Sequence, residues 1–344
     1  RNYVVRAFRL SPDRFLLRGV VDDTKPGWTW IEFDTEPVTM HHMVLDMVIS
    51  FPELVIVEAK AEEEQSFLTQ VFISWFPMLL LIGGIYWLDH AAYFGRQGML
   101  SAGLLGLLGI GGALEYANMM RKQGFAVARW PLLLATALLH VAAFPFGWHQ
   151  LDRELYPLIF LTMALLFPLA VWSLGKDHMA RGLELQGGTL LGFLFVAWPM
   201  YLGQGICLRH LSSLLYVVLI CKGGDIGAYV VGRLLGQRKL IPHVSPGKTF
   251  AGALGSLAVS ILLAVLLRGS LVEDLPIALW VAIGIGALLN FTAQTGDLIE
   301  SLLKRRCGAK DSSQLLPAHG GVLDLVDSLL FSFAAWFLLL IWLT

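Results

Sequence analysis

Residues 250–267 read Phe250-Ala-Gly-Ala-Leu-Gly-Ser-Leu-Ala-Val-Ser-Ile-Leu-Leu-Ala-Val-Leu-Leu267, without one ionisable side chain. Wound as a helix, such a run comes close to the roughly 20 residues needed to cross about 30 Å of hydrocarbon. Runs of the same kind recur from Phe67 onward, over 67–88, 99–120, 130–147, 155–175, 189–206, 211–231, 250–267, 276–297 and 322–344. The pattern predicts an all-α polytopic membrane protein with about nine transmembrane helices. Composition agrees: of 344 residues, 56% are hydrophobic, 15% are charged and 35 are glycine, with a mean hydropathy of +0.66. Soluble domains carry about 25% charge, so disorder, a disulfide miniprotein and most soluble enzymes are excluded.

Loop charge orients the spans, because Lys and Arg concentrate on the cytoplasmic side. The connections 121–129, 176–188, 232–249 and 298–321 hold 13 Lys and Arg, whereas 89–98, 148–154, 207–210 and 268–275 hold 4. The rich set is expected in the cytoplasm, together with the N-terminal segment, in a cell (inner) membrane. Net charge is −1, so no global basic field argues for nucleic acid, and an anion must be held by a local site.

The first 66 residues read differently, with 19 of the 51 charged side chains. Short β-prone runs at 15–17, 28–33 and 54–57 are separated by Asp22-Asp23, Pro26-Gly27 and Pro52, which predicts a small β-rich soluble module over 1–66 ahead of a membrane domain over 67–344. Adjacent strand residues point to opposite faces, so His41-His42 is read as structural rather than metal-binding, and the acidic run 62–64 as a join. This stretch is loosely similar to a small bacterial domain of unknown function, through 22–26 and His42-Met43. Cys207, Cys221 and Cys307 are odd in number and far apart, so they are read as packing residues. The chain opens on Arg1 and no signal-peptide pattern is expected within it.

Function should show where ionisable groups persist among apolar residues, since each costs at least about 2.5–3.5 kcal/mol in hydrocarbon. Glu115, Asp225, Asp297, Asp324 and Asp327 fall within or at the ends of the spans, all expected near cytoplasmic ends. Asp324 and Asp327, three apart, share a helical face. Spacing alone serves two readings: a capping Asp plus a carboxylate paired with Lys or Arg, or two carboxylates on a hard divalent ion whose other positions go to water and phosphate. Asp297 is followed at helical spacing by Ser301, Lys304 and Arg305, a basic ridge. In Pro317-Ala-His319-Gly320-Gly321, glycines would let backbone N–H groups approach an anion at a helix start. Lys222 and Asp225 can pair on one face. Ser245-Pro246-Gly-Lys248-Thr249 offers hydroxyls, an ammonium and helix N-terminal amides to a phosphate chain. It is not a P-loop, because position 242 is proline and no strand is expected before it.

Together these stretches resemble the membrane phosphatidate cytidylyltransferases, or CDP-diacylglycerol synthases. The likeness covers about 67–344 and rests on Ser301-Leu-Leu-Lys304-Arg305, Lys310-Asp311, Pro317-x-His319-Gly320-Gly321, Asp324 and Asp327-Ser328. Asp225 with Gly227-Ala-Tyr229, Gly232-Arg233, the Ser245–Thr249 stretch and Gly296-Asp297-Leu298 support it. Leu325 stands where that family usually has Arg, and Ser313 where it usually has Gly. The resemblance implies CTP and phosphatidic acid in the membrane as substrates and Mg²⁺ as cofactor, with a second metal ion left open. It implies Asp297, Asp324 and Asp327 as metal ligands; Lys304, Arg305, Lys310 and Asp311 in the catalytic machinery; and Asp225, Arg233, Ser245, Pro246, Lys248, Thr249, His319, Gly320 and Gly321 around substrate. Asp225 and Asp311 would form the polar floor of the pocket. His140 and His178 are read as packing residues, and Gly103, Gly106 and 109–112 as close helix packing that offers a homodimer face. The alternatives are a relative that serves another lipid or polyprenol, an inactive lipid-binding scaffold, and an ion-coupled transporter.

Overall fold

The computed structural model describes residues 2–11, 14–22, 41–50, 55–65, 76–91, 97–144, 156–174, 179–272, 275, 277–309, 311–313, 315 and 320–343. The chain divides into two compact units, Arg1–Ile82 and Gly83–Thr344. In the first, β1 (Asn2–Ser11), β2 (Arg14–Asp22), β3 (His41–Ser50) and β4 (Val55–Gln65) form an antiparallel meander in chain order. The acidic run 62–64 is therefore no join. It lies inside β4, where backbone pairing sets Glu64 opposite His42. The expected strand at 28–33 falls outside the described residues.

The helices are α1 (Phe76–His90), α2 (Met99–Lys122), α3 (Arg129–Ala142), α4 (Tyr156–Ser173), α5 (Met179–Gly192), α6 (Trp198–Arg209), α7 (Leu211–Leu235), α8 (Phe250–Leu271), α9 (Leu279–Arg306) and α10 (Val322–Leu343). A π turn over Phe193–Ala197 runs α5 into α6. A short hairpin, β5 (Lys239–Ile241) with β6 (Ser245–Thr249), joins α7 to α8. Among the described residues, six helices are long and apolar enough to cross a membrane: Met99–Lys122, Arg181–Arg209, Leu211–Leu235, Phe250–Leu271, Leu279–Arg306 and Val322–Leu343. Arg129–Ala142 and Pro157–Ser173 are apolar but shorter. Trp130, Phe160, Phe167, Trp280, Phe291 and Trp342 are each 69–74% exposed. So much exposed aromatic surface suits lipid rather than water, and the chain is a multi-pass membrane protein.

The core lies along α10, which touches α2, α6, α7 and α9 and buries Trp336 and Phe333 completely. Several polar groups inside the bundle pair internally, as hydrocarbon favours. His140 Nδ1 meets Gln204 Oε1 at 2.6 Å, and Gln204 Nε2 donates to the Ala102 carbonyl at 2.8 Å. Gly106 and Gly109 face this pair, so these glycines serve packing within the chain. The three cysteines are free and buried, whereas His178 lies outside the described residues.

The most extensive helix contact joins α7 and α8, and small residues permit it. A Cβ on Gly255 would lie 2.5 Å from Val231 Cβ and 3.0 Å from the Gly227 carbonyl. Gly255→Val is expected to destabilise the protein by about 1–3 kcal/mol through overpacking, read as an earlier loss of tryptophan fluorescence on heating in detergent.

Candidate active site

Two helices make the site possible by crossing closely. A Cβ on Gly296 would collide with the Asp327 carbonyl, so only glycine lets α9 and α10 meet there. Asp297 on α9 and Asp327 on α10 are thereby brought to one place. Asp327 lies in the electrostatic field of Asp297, Lys222 and Asp225, and Asp225 in that of Lys222, Asp297 and Lys248. One cluster thus gathers three carboxylates from α7, α9 and α10.

Hydrogen bonds order this cluster. Lys248 Nζ, reaching in from β6, lies 2.7 Å from Asp297 Oδ2, and Ser301 Oγ donates to Asp297 Oδ1 at 3.3 Å. Lys222 Nζ is 3.5 Å from Asp225 Oδ2, the pairing expected from their spacing. It also donates to Ser328 Oγ at 2.8 Å, and that hydroxyl donates onward to Asp225 Oδ2 at 3.2 Å. The Asp327 carboxylate accepts from the Ser328 amide at 2.5 Å. Three aspartates against two lysines leave a formal charge of about −1. Asp225 and Asp297 lie within α7 and α9, which run on to Leu235 and Arg306. At 1.5 Å per residue the two aspartates sit about 15 and 14 Å inside those ends.

Asp324 belongs to a second constellation. Its carboxylate pairs with Lys304 and accepts from the Gly321 amide at 2.8 Å and from the Ser312 amide and hydroxyl at 2.8 and 2.6 Å. Lys304 also sits 2.7 Å from the fully buried Glu300. Across the loop, Glu115 of α2 accepts from Ser313 Oγ at 2.7 Å, the Val322 amide at 3.0 Å and the Leu323 amide at 2.8 Å, and its carboxylate lies 2.9 Å from Ser312 Oγ.

The anion expected at Gly320-Gly321 is therefore the protein's own. Glu115 and Asp324 fill the N-terminal amides of α10, as carboxylates commonly do at helix starts. Gly320 has φ +83°, and a Cβ on Gly321 would strike Ser312 Oγ and the Glu115 carboxylate. The spacing argument put one cation between Asp324 and Asp327. Asp324 pairs with Lys304 of α9, and Lys222 of α7 reaches Ser328, next to Asp327. Leu325 packs against the apolar core.

The 245–249 stretch divides its labour. Thr249 is buried and caps α8, its hydroxyl accepting from the Gly252 amide at 3.1 Å. Ser245 pairs across the hairpin with Ile241, while Pro246 and Gly247 are exposed. Arg305 does not turn toward the aspartates. Its side chain donates to the Val244 and Ala309 carbonyls at 3.2 and 3.1 Å, clasping the hairpin to the end of α9. Arg233 donates to Tyr229 Oη at 3.2 Å. Asp311 is exposed; Lys310 and His319 lie outside the described residues. Sequence reasoning assigned no role to Glu115, Glu300 or Ser328. The available signals were a lone Glu in an apolar helix and the Glu300–Lys304 spacing of four.

Among the described residues, no group of three or more His, Cys, Asp or Glu side chains is arranged to enclose a metal ion. Asp297 and Asp327 nevertheless suit magnesium, which is usually held by one or two carboxylates with water and substrate phosphate completing its shell. Asp324 suits it less, since its oxygens already serve Lys304, Ser312 and Gly321.

Residues 69–343 match the cytidylyltransferase family. The chain is similar to the phosphatidate cytidylyltransferase of Haemophilus influenzae, 44% identical over 123 residues, covering 35% of this chain and 42% of that protein. It is likewise similar to those of Bacillus subtilis, 43% identical over 121 residues (35% and 44%), and Staphylococcus saprophyticus, 42% identical over 121 residues (35% and 46%). In these matches the chain spans less than half the length of its curated relatives.

Removing Glu115 would strand buried donors, each costing about 1–3 kcal/mol. Glu115→Ala is expected to lower thermal stability and to open 311–321 to limited proteolysis, with Glu115→Gln intermediate.

Proposed function

We propose that this chain, which belongs to the cytidylyltransferase family, joins CTP to phosphatidic acid, giving CDP-diacylglycerol and pyrophosphate. A lipid phosphate oxygen attacks the α-phosphorus of CTP; a new P–O bond forms, the bond to the β-phosphate bridging oxygen breaks, and pyrophosphate leaves with that electron pair. Two anions must meet, so catalysis rests on neutralisation and positioning rather than on a protein nucleophile. The observation that carries this reading is the Asp225–Asp297–Asp327 cluster with Lys222 and Lys248, recessed in apolar helices.

In this reading Asp297 and Asp327 hold Mg²⁺, which when bound neutralises phosphate charge as a Lewis acid. Lys248, partly exposed and on the hairpin, exchanges Asp297 for a CTP phosphate. Ser245, Pro246 and Arg233 line the nucleotide side, and Lys310, Asp311 and His319 are assigned to the substrates. Asp324, Gly320 and Gly321 keep that loop in register, with Lys304 balancing Asp324 and Glu300, and Arg305 fixing the hairpin. Phosphatidic acid would enter between helices with its acyl chains still in hydrocarbon. The reading carries with it nine spans, a cytoplasmic site and N-terminus, a separate β-rich module over 1–66 and a homodimer.

Detergent-solubilised protein given radiolabelled CTP and phosphatidate is expected to form CDP-diacylglycerol with Mg²⁺ and none with EDTA. Asp297→Asn and Asp327→Asn should each lower turnover at least ~100-fold at unchanged thermal stability, while Asp324→Asn should lower both. Full turnover in Asp327→Asn would remove the metal assignment. Labelled lipid formed from another lipid phosphate alone would redirect the substrate.

A further inference from the structure

Lys222 stands where an ammonium is expensive. It is halfway along α7 and buried, and a charge at the centre of a spanning helix costs about 2.5–3.5 kcal/mol on insertion scales. The other lysines of the site have plain partners: Lys248 faces Asp297, and Lys304 faces Asp324 and Glu300. Helix α10 carries two aspartates but no Lys or Arg from end to end, and Leu325, one turn before Ser328, packs into the core. Asp327 and Ser328 therefore take their counter-charge from another helix. Lys222 supplies it through Ser328 Oγ at 2.8 Å, with Asp225 at 3.5 Å and Asp327 within its field.

We infer that Lys222 is a built-in counter-cation of the Asp225–Asp297–Asp327 cluster, a positioning residue that holds Asp225 and Ser328 and lowers the affinity of Asp297 and Asp327 for a divalent cation. The inference deepens the proposed function and rests on it only for what the bound ion serves. The charge count gives its direction. With Lys222 the cluster stands near −1, and without it near −2, so a divalent ion is drawn in more tightly while Asp225 loses its hold.

The test is Mn²⁺ binding to the detergent-purified full chain, followed by the electron paramagnetic resonance signal of free Mn²⁺ and paired with the CTP and phosphatidate assay. Lys222→Gln keeps a hydrogen-bond donor toward Ser328 but removes the charge, and should bind Mn²⁺ ~10-fold more tightly. Its half-saturating Mg²⁺ for turnover should fall in parallel while kcat drops. Lys222→Arg, which keeps the charge, should stay within about twofold of the original affinity. If Lys222→Gln does not fold, the double variant Lys222→Gln with Asp225→Asn removes a cancelling pair and should bind within about threefold of the original; a larger departure overturns the inference. Equal Mn²⁺ affinity in the unmodified protein and Lys222→Gln overturns it, as does a failure of the unmodified protein to bind Mn²⁺. An affinity shift without any CDP-lipid formation supports the counter-cation and overturns the functional reading instead.

Discussion

An ionised side chain among apolar helices is tolerable only beside an opposite charge or a set of hydrogen-bond donors, and this requirement binds the distant parts of the chain together. Lys248 on the hairpin reaches Asp297 on α9. Lys304 on α9 reaches Asp324 on α10. Lys222 on α7 reaches Ser328 on α10. Glu115, some two hundred residues earlier in the chain, closes the N-terminus of α10. Each of these contacts joins two different elements, and each would be costly to leave half-made.

Small residues let these pairs form. Lipid offers no hydrophobic incentive for helices to associate, so close backbone approach and internal hydrogen bonds must supply the attraction. The Gly227–Gly255 contact does this for α7 and α8, and Gly296 against Asp327 for α9 and α10. Between α8 and α9, Asn290 Nδ2 donates to Ser256 and Ser260 hydroxyls at 2.6 and 3.1 Å, while Ser260 Oγ donates to the Ile220 carbonyl of α7 at 3.2 Å. A helix trio so tied can hold charged groups at fixed spacing without a rigid soluble core. That stiffness suits the proposed reaction between two phosphates, whose rate would depend on where charges stand rather than on any bond the protein makes.

The acidic residues divide by task along α10. Asp324 and Glu115 serve the loop and helix start, with their oxygens committed to amides, hydroxyls and Lys304. Asp327, a turn deeper, joins Asp225 and Asp297, whose partners are long lysine side chains able to yield to a ligand. The proposed nucleotide site and the groups that hold its loop are thus adjacent along one helix.

Much of this was legible in residue order alone. Long uncharged runs such as 250–267 determine a membrane protein, because hydrophobicity and helix length are properties of a single segment. The aspartates, lysines and glycines that line the site were equally visible, being chemically out of place in such segments. Which acid faces which ammonium was not. The three-residue spacing of Asp324 and Asp327 did not show that Lys304 of α9 pairs with Asp324, or that Lys222 of α7 reaches Ser328 beside Asp327. The amides at the start of α10 looked ready for a ligand, yet Asp324 accepts from Gly321 and Glu115, from a remote helix, from Val322 and Leu323. Pairing depends on helix crossings set by glycines whose effect appears only when two backbones meet, so tertiary structure alone decided the electrostatics of the site.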